Sequence, residues 1–132
     1  MAEKRDQYSR EIAIKAVKLA VDKKVLDPSL LFVGKVTYLA DYFFICTGNS
    51  VQHVQALADN IKEGLKKEGC SLLRLEGYRE GNWVLMDYGD LVVHIFKSGE
   101  REFYNLERLW AEAEKLDLLA EKILDAQSYS EL

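Results

Sequence analysis

The segment EGNWVLMDYGDLVVHIF, Glu80–Phe96, constrains the fold more than any other part of the chain. It reads as two strands joined by a tight acidic turn near Tyr88-Gly89-Asp90. Alternate residues of a strand face opposite ways. Trp83, Leu85 and Asp87 therefore share one face, and Val84, Met86 and Tyr88 share the other. In the second strand Leu91, Val93 and Ile95 oppose Val92, His94 and Phe96. The earlier stretch YFFICT repeats the pattern, with Phe43 and Ile45 against Phe44 and Cys46. A strand with one wet face alternates apolar and polar residues. These strands do not alternate, so their sheet needs cover on both faces. Two outcomes are open. Helices divide between the faces and hide both, or one face stays bare over several hundred square ångströms, a size that marks an interaction site.

The rest of the chain supplies helices and further strands. Residues Asp6–Lys24 carry Tyr8, Ile12, Ala16, Leu19 and Ala20 on one helical face, widened by Ala13 and Val17. Asp27-Pro28-Ser29 ends that helix. Leu30–Val36 and Tyr42–Thr47 read as strands, and their short link predicts an antiparallel pair. Ser50 is placed to cap a helix whose stripe is Val54, Leu57, Ala58, Ile61 and Leu65, and Gly69 ends it. Gly64 lies inside that helix at a cost of about 1 kcal/mol against alanine, which suits a close backbone approach. Cys70–Glu76 reads as a third strand. Strand, helix and strand in succession predict a parallel pair with a right-handed crossover. Ser98 can cap a last helix with Phe103, Leu106, Trp110 and Ala113 on its inner face, of which Phe103, Leu106 and Trp110 are assigned to the core. A further helical stretch covers 113–126, and QSYSEL reads as a frayed end. The fold class expected is α/β (α+β mixed), with about five strands in one mixed sheet and helices packed on it.

At 132 residues the chain suits one domain, with residues 1–113 as that domain and 114–132 as a helical extension and tail. No run of about 18 apolar residues is present, so no membrane helix is expected. The N-terminal MAEKRDQYSR lacks the apolar core of a signal peptide, which points to the cytoplasm. A net charge of −4 suits a basic partner protein better than bare nucleic acid. Cys46 and Cys70 form no CxxC and read as reduced core thiols.

Four features of the sequence are candidates for chemistry. Asp87, Asp90, His94 and His53 offer a metal or acid–base cluster, but Asp favours turns, and no HxH, HExxH or DxD spacing occurs. TGNS before a helix suits an anion, yet one glycine makes neither a P-loop nor a dinucleotide fingerprint. The layout resembles a nucleotidyltransferase scaffold, a Gly-Ser turn opening a helix ahead of a strand. That strand, CSLLRLE, lacks the paired carboxylates for two magnesium ions, and Asp59 falls in the helix instead. Neither cysteine has an evident neighbouring base. No catalytic residue, metal or cofactor is expected; a nucleotidyltransferase-like or metal-dependent enzyme is the alternative.

Three ordered blocks, DYFFICTGNSVQHVQALADNIKE, EGYREGNWVLMDYGDLVVHIF and REFYNLERLW, resemble the ribosomal silencing factor family RsfS, also called Iojap, over Ala13–Ala113. The resemblance implies a non-enzymatic protein on a nucleotidyltransferase-like scaffold without its carboxylates. It implies binding to the large ribosomal subunit through ribosomal protein L-fourteen and a steric block on small-subunit joining. Organelle relatives assist large-subunit assembly. It also implies a homodimer, with no sequence-specific nucleic acid or membrane as partner. Partner contact is carried onto Tyr78, Trp83, Asp87, Tyr88, Asp90, His94, Arg101 and Tyr104, which match the family's blocks. Trp83 is the best anchor, because aromatic residues dominate binding hot spots. Ordinary core packing is the competing account of Trp83 and Tyr104.

Overall fold

A computed structural model describes residues 2–118. The chain runs α1 (Ala2–Val21), β1 (Leu26–Phe32), β2 (Tyr42–Gly48), α2 (Val51–Lys67), β3 (Arg74–Glu76), β4 (Trp83–Asp87), β5 (Leu91–Lys97), α3 (Glu100–Tyr104), α4 (Leu106–Leu109) and β6 (Glu114–Lys115). The strands form one six-stranded mixed sheet in the order β3-β4-β5-β2-β1-β6. The α/β class holds, with one strand more than expected.

Burial explains the order. Every residue of β2 is buried, and β5 is buried at five of its seven positions. Strands apolar on both faces belong at the centre, and these two pair in parallel from Tyr42↔Leu91 to Gly48↔Lys97. The expected parallel partner of β2, the Cys70–Glu76 strand, goes elsewhere. It shrinks to Arg74–Glu76, exposed at all three positions, and takes the sheet edge antiparallel to β4. Arg74 and Glu76 suit an edge and would be costly at the centre.

The β1–β2 pair is antiparallel as expected, but β1 starts earlier, at Leu26, and passes through the Asp27-Pro28-Ser29 break. A one-residue bulge between Leu26 and Ser29 absorbs it, with Asp27 left-handed at φ 46°. Pro28 lacks an N–H, and β6 reaches only Leu31 and Phe32, so no ladder bond is asked of it there. Ser50 caps α2 by accepting from the His53 N–H at 3.1 Å, as its sequence predicts.

The helices do divide between the faces, but unequally. α1 and α2 cover one face with Ala13, Ala16, Val17, Leu57, Ile61 and Leu65 against β2 and β5. Asn60 Nδ2 donates to Leu19 O at 2.8 Å and ties the two helices together. The other face gathers Leu31, Val33, Ala40, Phe43, Ile45 and Phe96 under Leu106, Trp110 and Ala113. Its cover is thin. The long helix expected after Ser98 is two short ones, split at Asn105 in the left-handed region, which asparagine tolerates. Gly99, not Ser98, occupies the N-cap position of α3. Leu106 and Trp110 are half-buried, and the Phe103 side chain lies outside the described residues. Glu114–Lys115 is a strand paired with β1 rather than the start of a helix, and Leu116 and Leu118 are buried in the main core. The remaining helical stretch and the frayed end lie outside the described residues.

Arg101 clamps the thin cover to the sheet. Its guanidinium donates twice to the Glu107 carboxylate at 2.8 Å, once to Thr47 Oγ1 at 3.1 Å, and to Asp27 O. One side chain thus joins α3, α4, β1 and β2. The paired N–H groups hold the Glu107 carboxyl below its ordinary 4.5, partly opposed by burial. A carboxyl depressed on folding stabilises above its unfolded pKa and loses that contribution as pH falls through the folded value. Glu107→Gln is therefore less stable than wild type at neutral pH, and the gap in urea midpoint closes as pH falls below 4.5. A gap independent of pH would contradict the clamp.

Gly64 answers to packing. A Cβ there would lie 2.4, 2.5 and 2.9 Å from carbons of the buried Leu19 side chain. Gly64→Ala therefore destabilises by about 1–3 kcal/mol through overpacking, against a gain of about 1 kcal/mol in helix propensity. The penalty shrinks in a Leu19→Ala background, measured as a double-mutant cycle.

Candidate docking face

The thinly covered face carries most of the residues singled out in the sequence. Trp83, Leu85 and Asp87 of β4 stand across from Phe96, His94 and Val92 of β5. Trp83, Leu85, Asp87 and Val92 are all half-buried. The Trp83 ring stacks on Phe96 at 5.1 Å between centroids and lies 4.6 Å from Tyr104 of α3. Phe43 of β2 meets His94 edge-on at 5.2 Å and Trp110 at 5.1 Å. Tyr104, Trp83, His94, Phe43 and Trp110 thus form a continuous aromatic strip. Each contact adds roughly 0.5–1.5 kcal/mol beyond area burial.

Local geometry aims Trp83. The loop before it turns at Gly77 (φ 77°) and Gly81 (φ 68°). A Cβ on Gly77 would fall 2.1 Å from Trp83 O, and one on Gly81 would fall 2.6 Å from Val51 Cγ1. Both positions need glycine for conformation and for space. Gln55 Nε2 holds Tyr78 O at 2.9 Å, and the Tyr78 hydroxyl donates to both Asp59 oxygens, at 2.9 and 3.0 Å. These bonds fasten the loop to α2.

His94 is 5% exposed, and burial pushes its pKa down to about 4. Its Nδ1 accepts the Trp83 indole N–H at 3.1 Å. Asp87 Oδ1 accepts from the Gly89 N–H at 2.8 Å and sets the β4–β5 turn. Asp90, half-buried in the same turn, uses its carbonyl to hold the Asp41 and Tyr42 amides at 2.9 Å.

Of the eight residues singled out, Trp83, Asp87, His94, Arg101 and Tyr104 lie on or under this face, with Asp90 in the turn at its end. The other two lie away from it. Tyr88 is 8% exposed in the helix-covered core, where burial pushes its hydroxyl pKa up. Tyr78 packs against the same core and bonds to Asp59. Arg101 is turned inward, its side chain 12% exposed, so its charge is spent on the clamp. The sequence reading missed Phe43 and Glu107 as parts of this site. Phe43 could be assigned to a face by parity but not to a strand neighbour. Glu107, six residues from Arg101, has no helical spacing to reveal the pair.

Among the described residues no group of three or more His, Cys, Asp and Glu is placed to hold a metal. Burial pushes the Cys46 thiol up to about 12, so it stays protonated. His53, the other candidate, is used on both nitrogens: Nδ1 accepts from the Asn49 N–H at 2.9 Å, and Nε2 meets Lys23 O at 2.7 Å. No described helix is long and apolar enough to cross a membrane.

Comparison with known proteins fits this geometry. The family profile described as "Ribosomal silencing factor during starvation" matches residues 6–131. The ribosomal silencing factor RsfS of Halalkalibacterium halodurans is 42% identical over 110 residues, which cover 83% of this chain and 94% of that protein. RsfS of Bacillus subtilis is 45% identical over 97 residues, covering 74% of this chain and 82% of the relative. A crystal structure of a Chromobacterium violaceum protein superposes with a TM-score of 0.76 at 36% identity, covering 77% of this chain and 85% of that one. A profile spanning nearly the whole chain, relatives matched over most of their length and a shared fold agree: the chain belongs to the RsfS ribosomal silencing factor family.

Proposed function

We propose that this protein docks on the large ribosomal subunit through ribosomal protein L-fourteen and, by occupying the surface the small subunit needs, blocks subunit joining. The observation that carries the reading is Trp83. It is a half-buried indole fixed by Phe96, Tyr104 and His94 on a sheet face with thin cover. Large rigid aromatics of this kind form interface anchors. Tyr104, 43% exposed, extends the contact, and Asp87 and Asp90 at the adjoining turn supply acidic groups for Lys or Arg on a basic ribosomal protein. His94 and Arg101 support the face from beneath, while Tyr78 and Tyr88 hold the loop and core behind it.

The reading is of a binding protein rather than an enzyme, acting in the cytoplasm, and family resemblance adds a homodimer and a role in large-subunit assembly to it. Magnesium-dependent nucleotide turnover by the purified protein, lost in Asp87→Asn, would favour the enzyme reading instead.

Co-sedimentation with purified large subunits tests the anchor. Trp83→Ala weakens binding by about 2 kcal/mol or more, roughly thirtyfold, with circular dichroism as the check that the variant folds. A folded Trp83→Ala protein that sediments with large subunits as wild type does would remove Trp83 from the docking face.

A further inference from the structure

An indole N–H can only donate, and a neutral imidazole offers one donor and one acceptor. The Trp83 N–H points at His94 Nδ1 at 3.1 Å, which puts the imidazole proton on Nε2. That choice has a cost. Nε2 is buried and has no hydrogen-bond partner among the described residues. An apolar side chain of similar shape would fill the site between Phe43 and Trp83 without burying an unpaired donor. Core packing alone therefore does not account for a histidine here. The acceptor at Nδ1 does.

The register shows why the acceptor must come from position 94. His94 stands directly across from Leu85, one side-chain step along the same face from Trp83. That diagonal lies within reach of long and aromatic side chains. The rings around Trp83 fix its plane but leave its N–H unanswered: Phe96 stacks on it and Tyr104 crosses it. Among the described residues, His94 is the hydrogen-bond partner of that N–H. Only burial displaces the pKa of His94, downward, and no charged group contributes, so the ring is neutral and able to accept at neutral pH.

We propose that His94 is the positioning residue of the docking face: its bare Nδ1 takes the Trp83 indole N–H and fixes the orientation in which Trp83 meets its partner. The inference rests on Trp83 being the anchor of that face. Trp83 then meets its partner through its ring, with its N–H already used.

Nitrogen-15 NMR of the wild-type protein reads the arrangement directly. The expected result is an unprotonated His94 Nδ1 coupled across the hydrogen bond to the Trp83 indole nitrogen. A proton on His94 Nδ1 at neutral pH, or no such coupling, would overturn the proposal without any variant being made. Sedimentation with purified large subunits then compares three folded variants. His94→Leu, which cannot accept, binds at least about fivefold more weakly, the lower end of what an unsatisfied donor costs. His94→Gln, whose amide oxygen can accept, restores binding close to wild type. Equal binding by His94→Leu and wild type, with Trp83→Ala defective, overturns the positioning role alone. Equal weakening in His94→Leu and His94→Gln does the same. Normal binding by Trp83→Ala removes Trp83 as the anchor and overturns the premise on which the positioning role rests.

Discussion

The parallel pairing of β2 with β5 is the constraint on which the rest depends. Both strands are apolar on both faces, so each must be flanked by strands and covered above and below. Placing them side by side at the centre sends the polar Arg74–Glu76 strand to one edge and the two-residue Glu114–Lys115 strand to the other. It also sets two separate cores back to back through one sheet. Helices α1 and α2 seal the first with a continuous aliphatic stripe. Among the described residues, the second is covered by two short helical turns, a clamp and a strip of aromatic rings.

That asymmetry leaves one face of the sheet less covered than the other among the described residues. A fully sealed second face would be inert, and a bare one would aggregate. Here the buried layer of Phe43, Ile45 and Phe96 supplies stability, while Trp83, Leu85 and Val92 remain half-open above it. Arg101 spends its charge inside the fold, joining α3 and α4 to β1 and β2. The acidic turn remains at the end of the face, and Asp87 also shapes that turn. Under the proposed docking role, these fixed contacts would lower the ordering cost of binding.

Much of this was legible in the sequence. Strand parity grouped Trp83 with Asp87, His94 with Phe96 and Phe43 with Ile45 within their own strands, because a period of two survives any choice of neighbour, but only the register brings the three groups onto one face. The α2 stripe, its Ser50 cap and the β4–β5 hairpin were equally plain, since local chemistry decides them. Strand order was not local. The strand-helix-strand rule favoured β3 as the neighbour of β2, but β5 is the more apolar strand and takes the place. The end of the chain misled for a related reason. Leu106 and Trp110 show helical spacing, yet Asn105 turns left-handed between the two short helices, and Glu114–Lys115 adds to the sheet edge. Tyr88 was drawn into the site by its motif, while its strand position points it into the opposite core.

The central claim is occlusion of the subunit-joining surface by a face that binds and does no chemistry. Order of addition tests it most directly. Excess protein is mixed with purified large subunits before small subunits are added, or is added to ribosomes already joined, and the yield of joined ribosomes is read by sucrose-gradient sedimentation. Occlusion predicts a marked drop in joined ribosomes in the first case and much less effect in the second. Protein that sediments with the large subunit yet leaves joining unchanged in both orders would contradict it.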